Sequence, residues 1–426
     1  MEAFIIRKKR KASPSAENDS ESLHVKKPKA NSACSEAVAL PQLLDFSTLN
    51  DISAISDRFD EIGNALLHDH TLVVQCGEME TEFKILELEF YLQKHKCHED
   101  PFTHGSEEQK ICGRWCAFWF ACSIYRPLIF LVRYFHRAPQ WSADSHRSMT
   151  SLTEYRSGSR KGLDLTIGRP LTTNSPHFVS ASTTIGGRAS ATVPVAPLLL
   201  GGALLRTIQR VSDSKVISGP SLLVDQILSL SKASSISDLV ENKWARDTSA
   251  FPSSPVPESQ PASASLYLKP VTSSKSAKPQ VYRSPRIGLE LSHSGTTATP
   301  THPRVVFLSK RYRYFTRPNL LTSNGRTQTF LGVLQMCVDS GQYGKTPFKR
   351  PGLRKALTSI TGSKDSTVTR YLADYQAGID GGKLESFVGP PGKGASSSPT
   401  TYLKMMGTLE RLRIGANSTA EQSSRS

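Results

Sequence analysis

In the stretch TEFKILELEFYLQKHKCHEDPFTH (81–104), apolar Leu86, Leu88, Phe90 and Leu92 alternate with Glu87, Glu89 and Tyr91. Side chains along a strand point to opposite faces with period two. The spacing therefore predicts a strand with one face on a core and Glu87, Glu89 and Tyr91 together on the other. Acids are disfavoured in strands, so two on one face need a reason. Either this is the solvated face of a half-exposed antiparallel sheet, the default for such alternation, or it is part of a site.

The same periodicities organise the rest of the chain. Residues 40–67 place Leu43, Leu44, Phe46, Leu49, Ile52, Ile55 and Phe59 at helical spacing. Residues 73–92 read as two strands joined at Gly77, and LLLGGALLRTIQRV (198–211) as a buried strand. GPSLLVDQILSL (219–230) opens on a Gly-Pro turn and continues as a helix with Leu222, Leu223, Ile227 and Leu230 on its core face. RVVFLSKRYRYFTRP (304–318) reads as a strand with basic and aromatic residues interleaved. Over 330–376 the period becomes helical three times, with a tight TGSKD turn (361–365) before the last helix and Ser366 as its N-cap. That spacing is helix-turn-helix-like. The segment carries Lys345, Lys349, Arg350, Arg354, Lys355, Lys364 and Arg370. Two readings stand, a DNA-reading motif or a small bundle with a solvated basic face. Residues 1–48 and 381–426 read as mostly disordered, and the Ser/Pro/Ala-rich 250–278 as a flexible excursion.

Composition narrows the partners. The 426 residues suffice for two or three domains of ~150 residues. Apolar residues make up 38 %, low for a chain packed throughout. A net charge of +16 favours a polyanionic partner, nucleic acid or anionic membrane, over an acidic protein. RKKRK (7–11) and KKPK (26–29) look like a bipartite nuclear localisation signal, against the alternative of a generic basic tail. Seven irregularly spaced cysteines form no disulfide framework, and no signal peptide is evident, so a reducing compartment is expected. CAFWFACSIYRPLIFLV (116–132) is short for a spanning helix and is broken by Arg126-Pro127, so no membrane span is expected.

Several pieces, in order, resemble the alkyladenine (3-methyladenine) DNA glycosylase family. ELEFYL (87–92) followed by a histidine resembles its catalytic strand, GALLRTI (202–208) its arginine-bearing strand, and GPSLLVDQIL (219–228) its Gly-Pro helix start. RIGLEL (286–291) and RYRYFTRPN (311–319) resemble its closing strands. LDLT (163–166) looks like its Asn-Ile-Ser strand, with Asp164 in place of the asparagine. The resemblance covers about residues 59–319 and leaves the basic helical segment outside. It implies an α+β, antiparallel β-rich domain over 49–320; the small all-α helix-turn-helix-like segment expected over 328–380 rests on the helical spacing alone. The resemblance also implies an enzyme that flips a damaged (alkylated or deaminated) purine out of duplex DNA and hydrolyses its N-glycosidic bond.

The chemistry fits the residue types. Flipping costs a few kcal/mol, partly offset by ~1–3 kcal/mol from stacking the base on an aromatic. The resemblance makes Glu89 the general base, Arg206 the arginine near the catalytic water and phosphate, and Tyr91 and His104 the pocket aromatic and histidine. The interval from Tyr91 to His104 is longer than the family's, so His98 is an alternative pocket histidine, with Glu99 and Asp100 as further candidates in that loop. Asp164 would contact the base edge and alter discrimination among purines. GRW (113–115) reads as one strand with YFHR (134–137), which brings Tyr134 and His136 to the pocket wall. On that reading 116–133 is a retained intron or gene-model error, and the spliced transcript decides it. Tyr155 or Arg156 is the nearest match for a wedge into the vacated stack. Arg156, Arg160, Lys161, Lys310, Arg311, Arg313 and Arg317 are the DNA-contacting cations. No cofactor is implied, and the Cys97/His98/His104/Cys112/Cys116 spacing fits no standard zinc pattern. The expected protein is a nuclear monomer whose partner is duplex DNA carrying a damaged purine.

Overall fold

The computed structural model describes residues 39–103, 107–118, 161–170, 198–251, 262–271, 277–321, 323–343, 348 and 350–423. The basic clusters, His104, Tyr134, His136, Tyr155, Arg156, Arg160 and residues 119–133 lie outside them.

The helix expected over 40–67 divides into α1 (Leu40–Leu43) and α2 (Ile52–Asn64). The break has a local cause. The Asp51 carboxylate accepts from the Ala54 N–H at 2.9 Å and starts a new helix as its N-cap. Strands β1 (His70–Cys76) and β2 (Met79–Lys94) form a hairpin closed by the pair Cys76–Met79, with Gly77 at φ +59° in the turn. Next come β3 (His98–Glu99), β4 (Trp115–Phe118), β5 (Gly162–Ile167), β6 (Leu199–Arg210) and β7 (Val216–Ser218). Helices α3 (Pro220–Leu230) and α4 (Ile236–Asp238) precede β8 (Ala264–Pro270) and β9 (Tyr282–Ser284). Then follow α5 (Pro303–Leu308), β10 (Arg313–Phe315), α6 (Arg326–Asp339), α7 (Pro351–Thr361), α8 (Asp365–Gly381) and α9 (Pro399–Ser423).

The fold is α+β. The main sheet path runs β4-β5-β6-β2-β1-β8, and β10 pairs with β2 and β9. Its strand ladders are antiparallel. Strand β2 is central. Residues 79–84 pair with β1 on one edge, Glu87–Glu89 pair with β10 on that same edge, and β6 covers the other. Its register against β6 shifts around Glu87, a bulge of the kind that re-aims side chains.

Four expectations are corrected. Residues 304–318 are a short helix followed by a three-residue strand. Pro303 opens α5, and the His302 ring accepts from the Arg304 N–H at 3.2 Å, so the Val305-Val306 pair is helical. In α3 the core face is Leu223, Val224, Ile227 and Leu228, while Leu222 is 59 % exposed. RIGLEL is no strand; it turns at Ile287–Gly288, and among the described residues Leu291 makes an isolated bridge to Val388. Finally, 381–423 is ordered into short helical turns and α9, which buries Tyr402, Leu403, Met405, Met406 and Leu409. The described residues from Ala39 onward form one unit, and Phe330, Val333, Leu353, Leu357 and Leu403 share a continuous apolar core with the sheet. Among the described residues no helix is long and apolar enough to cross a membrane.

Candidate active site

Neither face of β2 meets water over 85–92. Leu86, Leu88, Phe90 and Leu92 are buried, and so are Glu87, Glu89 and Tyr91. The solvated-face reading is therefore excluded, and each buried polar atom needs a partner.

Glu89 is fully buried, and its partners come from three elements. Its Oε2 accepts from the Tyr91 hydroxyl at 2.9 Å and from Arg206 Nη1 at 3.1 Å. Its Oε1 accepts from the Ile287 N–H at 2.7 Å, delivered by the RIGLEL turn. Arg206 stands on β6, which pairs with β2 along its length, and its Nε also lies 3.4 Å from Glu87 Oε1. Glu87 accepts in turn from Arg313 Nε at 2.7 Å and from Thr207 Oγ1 at 2.5 Å. Two carboxylates and two guanidiniums thus form a buried chain, Glu89–Arg206–Glu87–Arg313, of zero formal net charge. Burial alone would raise the Glu87 pKa, but Arg313 and Arg206 outweigh it and hold the group below its usual value. Burial likewise works against the Arg206 cation, yet Glu89 and Glu87 raise its pKa. Burial, with Glu89 beside it, carries the Tyr91 phenol well above its ordinary range.

A carboxylate offers about four acceptor positions. Described residues take three of those on Glu89, which leaves about one. The arrangement can hold a buried general base in one rotamer, with Arg206 fixed beside it.

Asp164 reaches the same neighbourhood from β5, in register with Leu204 of β6, the residue that also faces Glu89. Gln109 donates to its Oδ2 at 3.0 Å, whereas its Oδ1 is buried with no hydrogen-bond partner among the described residues. Burial pushes its pKa up to about 7, Gln109 opposes this, and the Glu89 charge adds to it. Gly202 makes room for the group: a Cβ there would stand 2.9 Å from Asp164 Oδ2.

A second buried pair backs Tyr91. Arg286 donates to Asp100 at 2.5 and 3.2 Å and to the Phe90 carbonyl at 3.1 Å, with its guanidinium 4.5 Å from the centre of the Tyr91 ring. One face of that ring is thereby covered. Sequence reasoning included Arg286 in a motif and Asp100 in a loop but assigned neither this role. Gln109 and the Ile287 N–H went unnoticed altogether. A backbone donor carries no sequence signal, and the two partners of the ion pair are 186 residues apart.

The two histidines weighed for the pocket separate. His104 lies outside the described residues. His98 is an aromatic-core residue: its Nδ1–H donates to the Leu92 carbonyl at 2.9 Å, its Nε2 meets the Tyr312 hydroxyl at 2.8 Å, and Phe59 and Phe307 pack edge-on against it. Burial lowers its pKa and favours the neutral ring.

The DNA-contacting cations also divide. Arg313 is fully buried against Glu87, Ser284 and Thr329, so its guanidinium is closed to a phosphate; the interleaving of basic and aromatic residues there marks a core strand. Arg311 pairs with Asp339 at 2.9 Å and Lys161 with Asp225 at 2.5 Å. Lys310 is half-buried, and burial lowers its pKa. Arg317 is exposed, in the left-handed region at φ +49°, and donates to Gln209 at 3.2 Å. Two clefts of about 410 and 570 Å³ lie elsewhere, the first beside Lys310, Arg311 and Arg413 and the second beside Lys215 and Leu222. Neither is lined by Glu89, Arg206 or Asp164. Among the described residues no His/Cys/Asp/Glu group is arranged to hold a metal ion.

No protein-family model matches the chain. The uncharacterized protein L759 of Acanthamoeba polyphaga mimivirus is 26 % identical over 245 residues, which span 58 % of this chain and 82 % of that protein.

Proposed function

We propose that the protein is a monofunctional DNA glycosylase that flips an alkylated or deaminated purine out of duplex DNA and hydrolyses its N-glycosidic bond. The observation that carries this reading is the Glu89 carboxylate, fixed by Tyr91, Arg206 and the Ile287 N–H with about one acceptor position left over. In the reaction Glu89 accepts a proton from water as that water attacks the sugar, and the base leaves through an oxocarbenium-like state. Arg206 holds the carboxylate in place. Asp164 faces the edge of the flipped base, and Tyr91 supplies a stacking surface. The net charge of +16 suits a polyanionic substrate, and the two N-terminal basic clusters suit nuclear import. The working form is a monomer without a cofactor.

The test is release of free base from alkylated and from deaminated duplex by the purified protein. Glu89→Gln, which keeps the shape and an acceptor for Arg206, is expected to lower the rate ~10²–10⁴-fold. Wild-type rates from the variant would overturn the role of Glu89.

A second reading is favoured by one observation, the complete burial of Glu89. On that reading the cluster is structural and the protein binds nucleic acid without cleaving it. Steeply salt-dependent duplex binding with no base release from any damaged duplex decides for it.

A further inference from the structure

The segment after β10 takes no part in the hydrogen bonds of Glu89, yet its outer face has a definite character. Helices α7 and α8 are joined by Gly362, Ser363 and Lys364 alone, with Gly362 at φ +67°, a conformation glycine adopts without strain. An ion pair from Arg354 to Asp365 at 3.0 Å clasps the turn. Three residues including a glycine between two helices is the helix-turn-helix connection. The inner face of α8 is fixed: Val368, Tyr371 and Tyr375 are buried, and Gly378 lies so close to α9 that a Cβ would stand 2.1 Å from the Lys404 carbonyl oxygen.

The opposite face is open. Ser366, Thr369, Arg370, Ala373 and Ala377 are all exposed, at i, i+3, i+4, i+7 and i+11. We propose that α8 is a recognition helix, whose outer face enters the major groove of duplex DNA and reads base sequence there, giving the protein a DNA contact separate from the Glu89 cluster.

Size, chemistry and charge agree. A groove ~12 Å wide admits an α-helix, and Ser, Thr and Ala, which make up four of these five, are residue types that contact base edges or the thymine methyl there. The polar members stand in the first half of the helix, where recognition helices meet base edges. Arg370 is the residue type suited to a guanine edge. Exposed Lys355 and Lys364 stand on the flanking elements, and the one acid in the first turn, Asp365, is engaged by Arg354. A protein-binding face draws on large aromatic or apolar anchors, and this one presents none. Duplex RNA is disfavoured, because its major groove is too deep and narrow for a helix.

The proposal does not rest on the glycosylase reading, and its test uses undamaged DNA. The full-length protein is put through repeated selection from a random duplex library. Enrichment of a short motif is expected, and the same motif is expected from Glu89→Gln. Arg370→Ala should weaken binding to the selected duplex about tenfold or more and leave unselected duplex within about twofold. Ala373→Glu should abolish selection. Lys364→Ala should weaken all duplexes alike and reduce the salt slope by about one. All three positions are exposed, so unchanged circular dichroism checks that the variants fold. No enrichment, or a motif bound equally well by Arg370→Ala and Ala373→Glu, overturns the proposal whatever the outcome of the base-release assay.

Discussion

Among single residues, Asp164 makes the sharpest prediction. Its folded-state pKa of about 7 lies above the ordinary value of 3.8, so the folded protein keeps a proton that the unfolded chain releases between these values. The stability tied to that proton is present at low pH and is lost as pH rises through about 7; at ~1.4 kcal/mol per unit the loss is of order 4 kcal/mol. Asp164→Asn keeps the acceptor for Gln109 and cannot ionise. It should raise the melting temperature at about pH 8 and change it little at about pH 4. The same melting temperatures for variant and wild type at both pH values would contradict this. Arg286 and Asp100 provide a second test, since both are buried. Arg286→Met leaves a lone buried carboxylate and should cost ~3–5 kcal/mol in urea unfolding, with much of the loss recovered on adding Asp100→Leu. Asp164 was legible in sequence because it replaces one residue in a quoted motif. The Arg286 pair was not, because an ion pair across 186 residues leaves no periodicity.

Elements were legible where their own pattern was strong. The β1–β2 hairpin, β6, α3 and the three helices from α6 to α8 all stand near where period and turn residues place them. Of the two readings of β2, the solvated face failed on its surroundings: period-two alternation places Glu87, Glu89 and Tyr91 on one face, and Arg206 of β6, Arg313 of β10 and the RIGLEL turn close that face. The N-cap of α8 is Lys364, and Ser366 lies inside the first turn. Helix α9 was missed because its contacts need close approach more than a broad apolar stripe. Gly378 of α8 and Gly407 of α9 face each other, and a Cβ on Gly407 would stand 2.1 Å from the Tyr375 carbonyl oxygen. Either glycine changed to alanine should push the helices apart and cost ~1–3 kcal/mol in denaturant unfolding. Gly381→Ala, with nothing within 4 Å of its Cβ, should be near neutral. Equal effects at 378, 407 and 381 would argue against a tight crossing.

For the whole molecule, the sheet and the C-terminal helices are one folding unit. Tyr402, Leu403, Met405, Met406 and Leu409 are buried, and at ~1.5–3 kcal/mol each they match the ~5–15 kcal/mol that holds a typical domain folded. Removing residues 399–426 should therefore give a chain without a cooperative melt in circular dichroism; a folded, soluble truncation would show that the helices are an appended module. The α+β class was legible through the family resemblance; local pattern by itself determined the strand over 85–92, the placing of Glu87, Glu89 and Tyr91 on one face, and a basic helical pair with a glycine turn. The last three follow from local spacing and turn chemistry, which act over a few residues. Only the tertiary structure decided that both faces of β2 are buried, that Arg313 turns inward to Glu87, that His98 belongs to the aromatic core, and that the last helix closes the fold. Each of those depends on which distant segment packs where, a competition for buried apolar area and charge partners that local pattern does not record.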